Sequence, residues 1–277
     1  MVVIGALSVA GAWFITRGGT PSTVQTAWAR LDTEDVHSLA FVDGDPAHLL
    51  FGHHDGLLES IDGGRSWHPL ATQADAMEMS PAADRSIVIA GHEVFTASTD
   101  GGETWRDIPA DLPSLDIHGF ARDPGDLQRM WAYPTSGGLW ESHDGWTHWE
   151  QVIQDNIMFP VATTQDGQTI LYGLDVSGLA TSADGGRTWT PLTTPPAYPF
   201  TTFTATTDGG VLLVGSPDGI FRSADQGRSW SKLRFKGSAF AIAATSDGQN
   251  IAVVTRETDV FRSSDGGQTW PGPSAAP

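Results

Sequence analysis

Four residue pairs carry the chemistry in this chain: Asp35 with His37, Asp75 with Met77, Asp116 with His118, and Asn156 with Met158. Each pair reads carboxylate or amide, one spacer, then imidazole or thioether. A spacing of two puts both side chains on one face of an extended strand. Imidazole with thioether is a soft donor set that favours copper, Cu(I) above all, over magnesium or calcium. Carboxylates next to such ligands orient the imidazoles and raise their basicity. The expected metal site is therefore His37, Met77, His118 and Met158, with Asp35, Asp75 and Asp116 as the outer partners. His54 (or its neighbour His53) and His92 end the second strands of the first two repeats and offer a second layer of ligands. The matching positions of the last two repeats hold Tyr198 with Phe200 and Ser238 with Phe240, where the phenyl rings would wall the far side.

All nine histidines fall between His37 and His148. His48, His68, His143 and His148 lie outside the repeated positions and read as surface residues. The same carboxylates admit a second chemistry, because a pair such as Asp35 with Asp116 or Asp75 can serve as general acid and base in hydrolysis of a neutral glycan.

The elements that position these residues are set by a box, Ser-x-Asp-Gly-Gly-x-(Thr/Ser)-Trp. It begins at Ser60 and returns at Ser98, Ser142, Ser182, Ser223 and Ser263, at spacings of 38, 44, 40, 41 and 40 residues. A period near forty means one supersecondary unit copied in a ring or stack. Asp and Gly-Gly are turn chemistry, and Trp opens the next strand as an apolar anchor. Trp146 replaces the second glycine of the third box and Gln226 the first glycine of the fifth, so both turns are expected to be distorted or solved differently.

Read backwards from each box, a repeat gives an inner strand, a turn, a second strand, a third strand running into the box and an outer strand starting at Trp. The inner strands are expected over Val36 to Val42, Ala76 to Ser80, Ile117 to Ala121, Ile157 to Ala162, Phe200 to Ala205 and Phe240 to Thr245. The sixth box runs into Pro271-Gly272-Pro273, which cannot supply ladder N–H groups. Val24 to Leu31, with Trp28, is therefore expected to complete the sixth blade and remove the open edge. The fold expected is all-β, a six-bladed β-propeller over 24–277.

The box is the Asp-box or BNR repeat, and the chain resembles the sialidase-like β-propellers that carry it between the third and fourth strands of each blade. It also resembles exported bacterial BNR-repeat proteins labelled glycosyl hydrolase-like. That resemblance implies a glycosidase as an alternative function, but the early Arg-Ile-Pro signature of sialidases is absent and the tyrosines number three. A further resemblance, to the photosystem II stability factor family, implies a scaffold for membrane-protein assembly. Arg222 and Arg262 share a Phe-Arg-Ser position before their boxes and read as structural repetition.

Composition bounds the partners. A net charge of −18 repels nucleic acid and anionic membrane surfaces, and leaves metal ions, glycans and basic proteins. With no cysteine, a metal must be held by His, Met, Asp or Glu. Residues 1–16 carry no charged side chain and read as a membrane anchor or signal segment, followed by a linker over 17–23. The expectation is an exported, membrane-tethered binding module with a copper-type site, contacting the membrane through that segment alone.

Overall fold

In each box the side chains rebuild the turn before any packing is considered. Ser60 Oγ donates to Asp62 Oδ1 at 2.9 Å and accepts the Gly64 amide at 2.8 Å. Asp62 Oδ1 takes the amides of Arg65 and Ser66, and Oδ2 takes the Ser66 hydroxyl. Partial burial opposes ionisation of Asp62, but the Ser66 amide and hydroxyl, the Ser60 hydroxyl and the Arg65 amide outweigh it and bring the carboxyl down to about 2. Trp67 then returns its indole N–H to Gly64 O at 3.1 Å, locking the outer strand to the turn.

The two deviant boxes keep the backbone path and change the bonding. Trp146 sits at φ 140° and Gln226 at φ 61°, the left-handed half of the map that glycine fills elsewhere. The second-glycine amide bonds the serine hydroxyl in five boxes, and Trp146 makes no such bond. In the fifth box the Trp230 indole donates to Thr193 O of the neighbouring blade.

The computed structural model describes residues 24–175, 178–193 and 198–273. The expected anchor and linker over residues 1–23 lie outside them. Among the described residues, 24 strands form six four-stranded antiparallel sheets and there is no helix. The chain is a six-bladed β-propeller, as expected, with the Asp-box between the third and fourth strands in blades one to five and after the third strand in blade six. The inner strands are Ser38–Phe41, Glu78–Pro81, Ile117–Arg122, Met158–Gln165, Thr202–Ala205 and Ala239–Ala244. Six apolar clusters hold the ring, each built from two adjacent blades. One of them packs Val88 and Phe95 of blade two against Ile117 and Trp149 of blade three.

Closure follows the N-terminal expectation. Ala29 and Arg30 pair with Val260 and Asp259 as the outermost strand of blade six. Backbone bonds from Trp28 to Val260 O and from Leu31 to Thr258 O extend the ladder at both ends. Leu31 and Val260 join Phe51 of blade one in the cluster that seals the ring. Buried Arg262 ties blade six to blade one through Gly63 O and Pro46 O, so its repeated position does structural work at the closure.

Three inner strands depart from strict register. Bulges fall between Ile117 and Phe120, between Met158 and Val161, and between Ala239 and Ala241. A bulge adds one residue to one strand and re-aims the side chains around it. Blades three, four and six therefore do not present equivalent sequence positions at equivalent directions.

Candidate functional site

Asp35, Asp75 and Asp116 stand just before three consecutive inner strands, at one mouth of the propeller. The second strands run back to the same mouth, which brings His54 and His92 beside them. Gly91 permits this approach, since a Cβ there would fall 2.3 Å from the Asp75 carbonyl oxygen.

Each aspartate clamps the hairpin turn of its own blade. Asp35 Oδ2 accepts the His54 amide at 2.9 Å and its Nδ1 lies at 2.6 Å. Asp75 Oδ2 repeats this with the amide of His92 at 3.3 Å and its Nδ1 at 2.5 Å. In blade three Thr135 takes the histidine's place, its hydroxyl donating to Asp116 Oδ2 at 3.0 Å. The clamp is thus a device of the blade, and imidazole is an addition made in blades one and two.

His37 joins the first two blades. Its Nε2 lies 2.8 Å from Asp35 Oδ2 and its Nδ1 lies 3.2 Å from Asp75 Oδ1. Neither Nδ1 nor Asp75 Oδ1 finds an aligned hydrogen bond, and both are buried. The rings continue the array: His37 meets His54 edge-on at 4.3 Å, His54 stacks on His92 at 5.8 Å, and His92 meets His118 at 5.0 Å. His118 Nε2 lies 3.1 Å from Asp116 Oδ1. The outcome is three overlapping donor groups, Asp35–His37–His54, His54–Asp75–His92 and His92–Asp116–His118, with the ligand atoms of each group within 4.8 Å of one another.

Burial draws His37 below the usual imidazole range, against the pull of Asp35 and Asp75, and the neighbouring His54 and His92 push the same way. A neutral imidazole has one N–H. Whichever nitrogen carries it, the other presents a lone pair to a carboxylate oxygen.

The sequence-predicted residues separate into two sets. His37, His54, His92 and His118 come together with Asp35, Asp75 and Asp116. Met77 lines the central cavity, as His37 does, and Met158 lies 37 % exposed on its bulged strand. Of the phenyl walls, Phe240 lines the cavity, while Phe200 packs on Tyr198 and the cluster between blades four and five. His53 stacks on Phe51 instead of joining the array.

Behind this mouth the inner strands of all six blades enclose a cavity of about 720 Å³. Glu78 is part of its wall, and burial raises its carboxyl to about 8. The residue is itself partly exposed, to the space inside the cavity. Sequence reading passed over Glu78 because its neighbour Met77 held the repeated position. The available signal was that Glu78 is the one acid where the other repeats carry Ser38, Gly119, Phe159, Thr201 and Ala241.

Comparison with known proteins agrees on the fold. A family profile described as photosynthesis system II assembly factor YCF48 matches residues 144–274, a little under half of the chain. The GH74 xyloglucanase of Xanthomonas campestris is similar at TM-score 0.59 and 18% identity, over 91% of this chain and 47% of that one. This chain thus spans about half the length of that enzyme. YCF48 from Cyanidioschyzon merolae is similar at TM-score 0.54 and 20% identity, over 88% of this chain and 87% of that one. A structure of YCF48 bound to D1 peptide is similar at TM-score 0.53 and 20% identity, over 88% of this chain and 83% of that one. No curated protein matches the sequence. Together with the six boxes, these likenesses make the chain a BNR-type β-propeller.

Proposed function

We propose that this propeller is a non-enzymatic, extracytoplasmic binding module that holds one divalent transition-metal ion at the His37 end of the array. The observation that carries the proposal is the His37 ring between two carboxylates, 2.8 Å from Asp35 and 3.2 Å from Asp75. Neutral imidazole leaves one of those contacts as lone pair against lone pair. A cation in the Asp35–His37–His54 group would relieve it. Four-coordinate zinc-type ions need ligands at about 2.0–2.2 Å, which small side-chain rotations would reach from these separations. Nitrogen and oxygen donors suit Cu(II) and Zn(II), with Cu(II) the tighter by the usual order, better than the Cu(I) that a His/Met ring would favour. Tethering by the uncharged segment 1–16 is part of the same proposal and rests on its composition.

The test is titration of the tag-free chain with Cu(II), Zn(II) and, anaerobically, Cu(I), with stoichiometry read by elemental analysis. One tight equivalent of Cu(II) or Zn(II), lost on His37→Ala and His54→Ala but kept on Met77→Ala and Met158→Ala, supports the reading. Cu(I) binding that needs the methionines would restore the His/Met ring as the site. Absence of binding would make the array a structural feature.

A second reading follows from the structure of YCF48 bound to D1 peptide: the same face would receive a protein segment. The charge of −18 then calls for a basic segment. Glycan hydrolysis has less support, because all three mouth aspartates are already engaged by an imidazole or a hydroxyl.

A further inference from the structure

The mouth array has ligands for a second ion at its far end. His92 follows the second strand of blade two, Ile87–Gly91, and Asp116 leads into the inner strand of blade three. An isolated parallel bridge between Gly91 and Asp116 stitches the two backbones together, so both side chains stand at the seam of the blades. His118 lies inside the bulge between Ile117 and Phe120, which re-aims the strand locally. Its ring meets that of His92 edge-on at 5.0 Å, and its Nε2 lies 3.1 Å from Asp116 Oδ1.

All three side chains are already oriented as donors. An ionised Asp75 only accepts, so His92 Nδ1, 2.5 Å from Asp75 Oδ2, carries the proton and Nε2 keeps the lone pair. A carboxylate on the far nitrogen is the arrangement that orients metal-bound imidazole. Thr135 donates to Asp116 Oδ2, which leaves Oδ1 to face His118. A nitrogen and an oxygen 3.1 Å apart fit two bonds of about 2.0–2.2 Å to one ion, at near a right angle. The side chains of His92, Asp116 and His118 are 46 %, 29 % and 32 % exposed, so water reaches the site and can take a fourth position.

The way the ligand groups overlap decides how many ions fit. Asp35–His37–His54 and His92–Asp116–His118 have no residue in common. The group between them, His54–Asp75–His92, takes one histidine from each and so competes with both. Two ions at the ends therefore use the array fully. Three aspartates lie among these histidines and the chain carries −18, which offsets the repulsion between two divalent ions. We propose that His92, Asp116 and His118 hold a second divalent transition-metal ion of the Cu(II) or Zn(II) class, taken up after the His37 end because its ligands are more exposed. The proposal extends the metal reading of the His37 end and shares no ligand with it.

Blade three supplies the variants, because Thr135 makes the clamp bond to Asp116 without an imidazole. His54→Thr and His92→Thr therefore keep the turn and remove one donor, with folding checked by circular dichroism. Calorimetric titration with Cu(II), and separately with Zn(II), should show two successive equivalents on the parent chain. His54→Thr disables the first and middle groups and should keep only the weaker equivalent. His92→Thr disables the middle and last groups and should keep only the tighter one. Adding His118→Ala to His54→Thr should weaken the remaining equivalent by about tenfold or more. Three results would overturn the proposal. His54→Thr could bind no ion, or an ion indifferent to His118→Ala. A second equivalent could survive His92→Thr, which would make it adventitious binding at exposed histidines such as His143 and His148. The parent and both single variants could each take one equivalent, which would mean that the two ends exclude each other. Failure of the His37 reading shows separately, as His92→Thr binding nothing.

Discussion

His37 Nδ1 and Asp75 Oδ1 face each other across the seam between blades one and two at 3.2 Å, both buried and neither in an aligned hydrogen bond. Asp75 spends its other oxygen on His92 at 2.5 Å. One carboxylate therefore couples two imidazoles from different blades. Asp75→Asn keeps the volume and removes the charge. It is expected to cost about 1.5–3 kcal/mol in chemical denaturation, the range for a hydrogen bond to a charged group. The same change should weaken Cu(II) or Zn(II) binding by about tenfold or more, as loss of a supporting carboxylate does elsewhere. An unchanged metal affinity would remove Asp75 from the site.

Acid should loosen the mouth through His37. Its folded value lies below 6.5 because burial outweighs Asp35 and Asp75. The unfolded chain therefore binds more protons in the window below 6.5, and stability rises with pH across it. The contribution is whole above about 6.5 and is lost as pH falls toward the folded value. A melting-temperature profile should fall on acidification from about pH 7 to pH 5, and His37→Gln should flatten that part of the curve. A metal bound at His37 would steepen it, since protons compete for the ligand.

The sign reverses for Glu78. Its folded value of about 8 exceeds the ordinary 4.5, so the folded chain holds a proton that the unfolded chain has released at neutral pH. That difference costs stability above about pH 4.5, and the cost grows up to about pH 8. Glu78→Gln removes it. The variant should be more stable than the parent by about 2 kcal/mol at pH 7, after discounting for water in the cavity, and nearly equal at pH 4. Equal stability at both values would mean that Glu78 ionises normally.

The ring was legible because each box states its own turn: Ser60, Asp62 and Gly64 bond to one another within five residues. Trp28 could be assigned to the closing strand because Pro271 and Pro273 cannot extend a ladder. The mouth was legible in part, since period two brings Asp35 to His37 and Asp116 to His118 on one strand. Contacts across the seam, such as Asp75 with His37, depend on how two blades are rotated against each other, and no local pattern encodes that. The His/Met ring presumed that like positions point alike. Bulges at Ile117 to Phe120 and Met158 to Val161 re-aim side chains on two of its four strands, and period two alone does not encode a bulge.

Gln226 tests whether the fifth box carries strain. Its φ of 61° is left-handed, and its side chain makes a single exposed bond to Gln165 Oε1 at 2.9 Å. A non-glycine residue pays about 1–2 kcal/mol for that conformation. Gln226→Gly removes the strain and loses the exposed bond, while glycine adds about 0.5–1 kcal/mol of unfolded-state entropy. A net gain of about 0.5 kcal/mol is expected in urea denaturation. Trp146→Gly should lose stability instead, because the Trp146 ring packs on the cluster between blades two and three and stands 5.9 Å from Arg106.

Trp28 tests the closure itself. Its indole N–H donates to Pro271 O at 2.8 Å, and the Arg65 guanidinium covers its ring at 4.6 Å. Those contacts join the first described strand, the segment after the last box and the turn of blade one. Full truncation of a buried Trp costs about 3–5 kcal/mol, and Trp28 is half-buried, so Trp28→Ala should cost about 2–3 kcal/mol. For a chain of this size that is about 5–10 °C in melting temperature. The sharper readout is where the chain opens. If the Ala29–Arg30 strand is the clasp, amide exchange should accelerate first in Asp259–Ser263, its ladder partner, and next in the blade-one residues of the sealing cluster such as Phe51. Exchange that rises evenly around all six blades would mean the ring opens as a unit, with no weakest seam at the Trp28 strand.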